Sequence, residues 1–439
     1  MIFRRSAATL AMQMLQLAAA TAVSIVVTRA TGATGKGIYT LMGTVLTLTT
    51  LATGLGISWA GIYHLGKRTH DSGETVGTLL AAGLASSAVS VIGIALAYAA
   101  LRGSYFRAVA PEQLWLTLAL VPAVQMAGVA GAILLGFNRP IHFAFITPVQ
   151  VLVTVVGDLS LLLFGRLTVT TAIAAWLIGA LSSVTVALVL VQRNAPVRLR
   201  LHRPVLKSLV VYGSKGYIAN LSSFFNYRLD SLILNGFAGV AAVGFYSIAV
   251  AAAELIWYVS NSVSQVLFPH ISNVDRAEAN RITPIICRNT LFASLVAAAA
   301  MFLVSRTLIV GLYSAAMLPA VQPLWLLLPG IVALSVGKVI ASYLSGVGKP
   351  IYASYIAAGT LVCTVALDVL LIPRYGASGA AVASSIAYTV ATLASLWAFR
   401  RESGSSLRAA LILRGEDLDR YGRLFKAALS RLDARPITP

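Results

Sequence analysis

Eight ionisable side chains fall inside apolar stretches that are long enough to cross a membrane. A charged side chain at the centre of a bilayer costs at least about 2.5–3.5 kcal/mol, so such residues are commonly kept to bind a substrate or an ion. Four are basic and four are acidic: Arg29, Lys215, Arg228 and Lys338, and Asp158, Asp230, Glu254 and Asp368.

The four basic residues are candidates to bind an anionic group, such as a phosphate, inside the membrane. An Arg guanidinium holds phosphate oxygens with two parallel hydrogen bonds, whereas a Lys acts as a point charge. We therefore predict a substrate-binding cationic cavity lined by Arg29, Lys215, Arg228 and Lys338. The alternative is structural: Lys215, about nine residues into its helix, could extend along the apolar surface to the cytosol.

Two of the acidic residues are candidates to bind a coupling ion. Asp230 and Glu254 lie in the predicted seventh and eighth spans, where burial favours a carboxyl group that holds a proton or a cation such as Na⁺. The alternative is a buried ion pair with one of the basic residues. Arg228 and Asp230 are two residues apart and project to different faces of a helix, so they are poor mutual partners.

The sequence contains no arrangement of residues that is typical of catalysis or of metal binding. The glycine-rich run GATGKG lacks the strand–loop–helix context and the Gly-Lys-Ser/Thr ending of a phosphate-binding loop. We therefore predict no catalytic residue, no metal, no cofactor beyond the coupling ion, and a protein that is not an enzyme. The five histidines are scattered without metal-ligand spacing: His64, His70, His142, His202 and His270.

The composition predicts that these ionisable residues are carried by membrane-spanning helices. The chain has 439 residues, of which 58% are hydrophobic and 11% charged, against about 25% charged in soluble proteins. A β-barrel would need alternating segments of about ten residues, and runs such as LAAATAVSIVV do not alternate. We predict an all-α polytopic membrane protein with about twelve spans, near residues 7–29, 38–63, 76–101, 113–136, 141–165, 170–192, 206–235, 240–269, 284–312, 321–346, 350–373 and 376–399.

Membrane orientation explains the net charge of +19 better than nucleic-acid binding does. With the N-terminus in the cytoplasm, the inner connections carry roughly twice as many Lys and Arg residues as the outer ones, even without the C-terminal tail. This predicts a multi-pass protein of the cytoplasmic membrane with both termini inside. The first apolar run contains Gln13 and Gln16 and lacks a convincing cleavage site, so we predict a retained helix rather than a signal peptide.

The sequence contains an internal repeat. At an offset of 207 residues, GATGKGIYT maps onto GVAAVGFYS, so that Gly37 matches Gly244 and Tyr39 matches Tyr246. At an offset of 210 residues, the turn GFNRP maps onto GVGKP. An even number of crossings in each repeat predicts two parallel six-helix lobes, as in transporters that rock two lobes about a midplane site.

The offset of 210 residues also carries Asp158 onto Asp368, which predicts that these two acids share a packing or capping role. From the repeat we predict an N-terminal lobe at 1–195, a basic cytoplasmic linker at 196–207 and a C-terminal lobe at 208–400. The remaining residues, 401–439, are predicted to form a basic amphipathic cytoplasmic tail on the anionic inner leaflet or in solution. Its apolar positions at helical spacing are Leu418, Tyr421, Phe425, Ala428 and Leu432.

Three segments resemble those of a known group of proteins. They are TRATGATGKGIYTLMG with LATGLGISWAGIYHLGK, the long segment from YRLDS to FPHIS, and LSGVGKP. Over about residues 7–400 the chain resembles bacterial polysaccharide transporters of the multidrug/oligosaccharidyl-lipid/polysaccharide exporter superfamily. The resemblance implies a flippase of the bacterial inner membrane that moves polyprenyl-pyrophosphate-linked oligosaccharides for a surface polysaccharide, such as lipopolysaccharide O-antigen or exopolysaccharide.

Two other functions stay open at this point. A multidrug or cation antiporter would share the fold, but such proteins favour acidic cavities, whereas this membrane interior is rich in Lys and Arg. A membrane polysaccharide polymerase or ligase would need an outer loop with catalytic groups, and the longest predicted outer loop is short. The expected partners are the lipid-linked oligosaccharide, membrane lipids and polymerase or glycosyltransferase machinery, with no nucleic acid.

Overall fold

The computed structural model describes residues 2–198, 200–415 and 417, with only the backbone described at 2–11, 215, 216 and 218–220. Every regular element in these residues is helical, which confirms the predicted all-α class. The helices are α1 (Ile2–Gly54), α2 (Ile57–Lys67), α3 (Ser72–Leu101), α4 (Pro111–Gly136), α5 (Pro140–Leu163), α6 (Val169–Asn194), α7 (Arg203–Glu254), α8 (Trp257–Asn273), α9 (Arg276–Leu312), a 3-10 turn (Ala315–Ala320), α10 (Val321–Gly346), α11 (Ile351–Ser403) and α12 (Leu407–Leu411).

Three long helices are kinked at a glycine with positive φ. Gly32 in α1, Gly239 in α7 and Gly376 in α11 have φ angles of 68°, 77° and 54°, a conformation that other residues rarely adopt. Nine helices in the described residues are long and apolar enough to cross a membrane. Dividing the three kinked ones at their glycines gives the predicted number of about twelve spans.

The first kink differs from the sequence prediction. Spans near 7–29 and 38–63 are expected to be joined by a loop, yet the helix continues to Gly32 and resumes directly after it. The reason is that one left-handed glycine reorients the backbone without the residues that a loop requires. As a result, residues between the two spans, including Lys36, lie on a helix.

Equivalent residues of the two repeats contact each other at these kinks. A Cβ atom added at Gly37 would lie 1.7 Å from the carbonyl oxygen of Val240, and one added at Gly244 would lie 2.0 Å from that of Ala33. The offset of 207 residues assigns Val240 to Ala33 and Gly244 to Gly37, so the contact is reciprocal. Small residues allow membrane helices to approach this closely. We call these four residues the glycine crossing.

The helices group into two compact units. The first unit contains Met1–Ile248, Arg306–Pro323 and Leu367–Ala380, and the second contains Ala249–Ser305, Leu324–Ala366 and Ala381–Pro439. Each has its own apolar core, with fully buried Leu41 and Ile133 in the first and Tyr343 and Phe399 in the second. The units do not follow the two halves of the chain, so the six-helix lobes at 1–195 and 208–400 and the linker stay predictions from the repeat.

The described start of the predicted tail, at Leu407–Leu411 and Asp417, lies in the second unit, and the tail as a whole stays a prediction. Arg288 of α9 donates two hydrogen bonds to the carboxylate of Asp417, at 2.5 and 2.9 Å. Arg288 and Asp417 are 4% and 3% exposed. The physical reason is that a buried guanidinium requires a paired carboxylate. The amphipathic positions predicted at 418–432 lie outside the described residues.

Candidate functional site

Lys338 of α10 contacts Trp257 and Asn261 of α8 within the second unit. Its ammonium group donates a hydrogen bond to Oδ1 of Asn261 at 3.0 Å. The same group lies 3.9 Å from the centre of the Trp257 ring, a distance at which the ring face attracts a cation. Glu254 is close enough to interact electrostatically with Lys338. We call Lys338, Trp257, Asn261 and Glu254 the lysine site.

Local structure fixes the geometry of the lysine site. Helix α7 ends at Glu254 and α8 starts at Trp257, which places Trp257 and Asn261 one helical turn apart on the same face. The Trp257 indole N–H donates to the carbonyl oxygen of Ile331 on α10 at 3.1 Å, and its ring meets Tyr388 edge-on at 5.7 Å. The ring face is therefore held toward Lys338.

A pair of carboxylates forms a second candidate site, in the first unit. Asp230 is 3% exposed; its Oδ1 accepts the backbone N–H of Ser231 at 2.6 Å and its Oδ2 accepts the hydroxyl of buried Tyr246. Asp368 is 0% exposed and close enough to Asp230 to interact electrostatically. Neither carboxylate oxygen of Asp368 has a hydrogen-bond partner among the described residues. We call Asp230, Asp368 and Tyr246 the carboxylate pair site.

Asp158 is the repeat equivalent of Asp368 and is equally buried, but its named neighbour is a tyrosine rather than a second carboxylate. Asp158 is 0% exposed, and its oxygens likewise have no hydrogen-bond partner among the described residues. Tyr39, which the repeat equates with Tyr246, is close enough to interact electrostatically with Asp158. A helix cap would require a hydrogen bond to a backbone N–H, which neither carboxylate makes among the described residues, and the shared packing or capping role stays a prediction.

Arg29 and Lys36 lie on either side of the kink at Gly32 in α1, in the first unit. Arg29 donates hydrogen bonds to the carbonyl oxygens of Leu312, at 2.7 Å, and Gly311, which end α9, where a cation also meets the negative end of the helix dipole. Lys36 is 9% exposed and donates to Oγ of Ser24 at 2.9 Å. Lys36 is not identifiable from the sequence, because it falls in a predicted loop and no motif marks it.

The structure brings together some of the predicted site residues. Glu254 joins Lys338 in the second unit, and Asp230 joins Asp368 in the first. Arg228 is half-buried on α7, whereas Lys215 is helical but its side chain lies outside the described residues. Among the described residues, no group of three His, Cys, Asp or Glu side chains has the geometry to hold a metal ion.

Comparisons with known proteins give a consistent result. The model of a family described as polysaccharide biosynthesis protein matches residues 26–322, more than half of the chain. The probable flippase AglR of Haloferax volcanii is 27% identical over 194 residues, which are 42% of this chain and 40% of that protein. The chain therefore matches less than half the length of this relative.

Solved structures share the fold. The lipid II flippase MurJ in an inward closed conformation superposes with a TM-score of 0.74 at 17% identity, covering 93% of this chain and 90% of that one. An inward-facing multidrug resistance MATE family transporter superposes with a TM-score of 0.70 at 16% identity, covering 90% and 98%. These matches confirm the resemblance found in the sequence and the expected superfamily fold.

Proposed function

We propose that this chain, which belongs to the polysaccharide biosynthesis protein family, is a flippase that moves a polyprenyl-pyrophosphate-linked oligosaccharide across the cytoplasmic membrane. The observation that carries the proposal is the lysine site, where a cation is held among membrane helices by Trp257 and Asn261. It works by alternating access between two repeats, without chemical change of the substrate.

The chemistry of the lysine site suits an anionic headgroup. A cation–π contact contributes about 0.5–2 kcal/mol, which offsets part of the cost of placing an ammonium group in an apolar environment. A pyrophosphate carries at least two negative charges and is attracted to a cation most strongly where water is scarce. Lys338 therefore lowers the barrier to moving this headgroup past α8 and α10.

The same site argues against the main rival function. The fold alone does not separate a flippase from a multidrug transporter, because both superpose on the chain. The ammonium group of Lys338 attracts phosphate and disfavours a cationic drug beside it, and Glu254 offsets part of this charge. A polymerase or ligase is less well supported still, since the named relatives are a flippase and transporters.

We propose the carboxylate pair site as the place where a proton or Na⁺ binds to drive transport. Two carboxylates close together in a low-dielectric interior cannot both stay charged unless a proton or a cation lies between them. Asp230 already accepts two hydrogen bonds, whereas the oxygens of Asp368 have no such partner among the described residues. Glu254, the other predicted coupling residue, is the alternative, near Lys338.

The cellular setting follows from the same proposal. The glycan belongs to a surface polysaccharide such as O-antigen or exopolysaccharide, and glycosyltransferases and a polymerase act before and after translocation. Both termini lie in the cytoplasm of a bacterial cell, as the Lys and Arg distribution predicts. The cationic residues Arg29, Lys215 and Arg228 are proposed to line other parts of the pathway.

Replacement of Lys338 tests the proposal in cells. Lys338→Ala should abolish glycan export at normal protein abundance, while Lys338→Arg should retain part of it, because Arg keeps the charge. Lys349→Ala is the matched control, since Lys349 is exposed in the turn between α10 and α11. Normal export by Lys338→Ala would contradict the role of the lysine site.

A further inference from the structure

The connection between α3 and α4, residues 102–110, packs against α7 in the first unit. The hydroxyl group of Tyr105 donates a hydrogen bond to the carbonyl oxygen of Leu232 at 2.9 Å. In return, Nδ2 of Asn235 donates to the backbone carbonyl oxygen of Tyr105, also at 2.9 Å. Asn235 is buried, so this second contact is shielded from competition with water. The connection is therefore held in a defined position beside the kink of α7 at Gly239.

A polar pocket lies between this connection and α7. Its volume is about 610 Å³, within the range of about 300–1,000 Å³ that is typical of small-molecule sites. Small residues of α7 near the kink leave the space open, and most of the polar residues come from the connection. The small residues are Gly236, Ala238, Gly239 and Ala241, and the polar residues are Ser104, Tyr105, Arg107 and Asn235. We call this the α3–α4 pocket.

Arg107 gives the α3–α4 pocket a positive charge. It is exposed and forms no ion pair with any described residue, and the described residues that line the pocket include no acid. The part of α7 that follows Gly239 starts in the pocket wall, with Val240 and Ala241, and the start of a helix carries a partial positive charge. The pocket therefore favours an anionic group over a cation.

The predicted topology places the α3–α4 pocket on the outer side of the membrane, because the connection follows the third span of a chain whose N-terminus is inside. A translocated glycan arrives at this side. Sugar hydroxyls require hydrogen-bonding groups, which Ser104 and Asn235 supply. An acidic sugar also requires a cation, and a guanidinium binds a carboxylate with two parallel hydrogen bonds. The lining of the pocket thus matches a sugar that carries a carboxylate.

We infer that the α3–α4 pocket binds an acidic sugar, such as a hexuronic acid, of the glycan that has crossed the membrane. Arg107 holds the carboxylate, while Ser104 and Asn235 contact the hydroxyl groups. This inference rests on the proposed function and narrows its substrate to acidic glycans. Binding at this point retains the glycan on the outer side and opposes its return.

Binding of monosaccharides to the purified full-length protein in detergent tests the pocket. Glucuronic acid should bind at least about tenfold more tightly than glucose, because the neutral sugar cannot form the charge-assisted hydrogen bonds to Arg107. Arg107→Ala should weaken the binding of glucuronic acid by the same factor. Arg107→Lys should retain part of it, because Lys keeps the charge but lacks the planar fork. Isothermal titration calorimetry measures these affinities.

Arg102→Ala is the matched control for this experiment. Arg102 is exposed in the same connection, but it faces the Tyr98 ring at 6.0 Å and is not among the residues that line the pocket, so its replacement should leave glucuronic acid binding unchanged. Equal binding of the two sugars, or unchanged binding of glucuronic acid by Arg107→Ala, would overturn the inference. Tighter binding of inorganic phosphate than of glucuronic acid would also overturn it, in favour of a site for a phosphate group.

Transport in proteoliposomes separates this inference from the proposed function. Arg107→Ala should slow the movement of a lipid-linked oligosaccharide that contains a uronic acid by about tenfold and leave one built of neutral sugars unchanged. If Arg107→Ala moves both at wild-type rates, the inference fails and the proposed function stands. If the wild-type protein moves neither, the proposed function fails, and the binding experiment decides separately whether the pocket recognises an acidic sugar.

Discussion

The glycine crossing must form and separate if the two repeats alternate, and replacing Gly37 with Ala tests this directly. The new Cβ atom would lie 1.7 Å from the carbonyl oxygen of Val240. Carbon and oxygen atoms normally stay more than about 3 Å apart, so the two backbones must move apart by roughly 1.5 Å. The obstacle is backbone rather than a flexible side chain, and neither helix can relieve it by a rotamer change.

The magnitude follows from overpacking in the joined state, which costs about 1–3 kcal/mol. The higher helix propensity of Ala favours the helix equally in the joined and the separated state, so it does not change this equilibrium. The crossing is therefore destabilised by about 2 kcal/mol, which is roughly a thirtyfold shift toward the separated state. Gly244→Ala should have a similar effect, because its Cβ atom would lie 2.0 Å from the carbonyl oxygen of Ala33.

Cysteine accessibility reports the shift. Val240 is 8% exposed at the crossing, so Val240→Cys, in a background without Cys287 and Cys363, should react slowly with a membrane-impermeant maleimide. Gly37→Ala should speed this reaction by up to about thirtyfold and slow transport at equal abundance. Gly128→Ala is the control, since nothing lies within 4 Å of a Cβ atom there. If Gly37→Ala labels and transports like Gly128→Ala, the crossing does not separate during transport.

Three further predictions concern the tail contact, the topology and ion coupling. Arg288→Ala should lower the free energy of unfolding by about 3–5 kcal/mol, because it removes the guanidinium that donates two hydrogen bonds to the buried carboxylate of Asp417. Thermal unfolding should show partial rescue when the charges of both residues are exchanged, and no rescue would contradict the pairing. Cysteines placed at Ser104 and Ser272 should label from opposite sides of the membrane, Ser104 from outside, and labelling of both from one side would contradict the twelve spans. Asp230→Asn should fold normally but transport at a rate that no longer depends on the ion gradient, and an unchanged gradient dependence measured in proteoliposomes would exclude Asp230 as a coupling residue.

Hydrophobicity and the internal repeat predict most of the fold. The spans follow from apolar runs of sufficient length, and the predicted match of Gly37 with Gly244 agrees with the reciprocal contact that these two glycines make. The kink at Gly32 is not predictable from the sequence, because a glycine in an apolar run looks the same whether its φ angle is positive or negative. Lys36 therefore falls in a predicted loop.

The candidate sites were partly predictable for a related reason. Lys338 and Asp230 are predictable because a charged residue inside an apolar run can be recognised without knowing which residues it contacts. Their neighbours depend on helix packing: Trp257 lies 81 residues before Lys338, and Asp368 lies far along the chain from Asp230. The buried pairing of Arg288 with Asp417 is not predictable from the sequence, because Asp417 belongs to the predicted cytoplasmic tail, where charges are expected to be solvated.

Reconstitution of the purified protein tests the central claim most directly. Proteoliposomes loaded with a fluorescent polyprenyl-pyrophosphate-linked oligosaccharide report translocation by loss of fluorescence to an impermeant quencher. We predict that wild-type protein moves this lipid across the bilayer, that Lys338→Ala does not, and that Lys349→Ala matches wild type. Absence of movement with wild-type protein, together with uptake of a cationic drug that persists in Lys338→Ala, would contradict the flippase and support an antiporter.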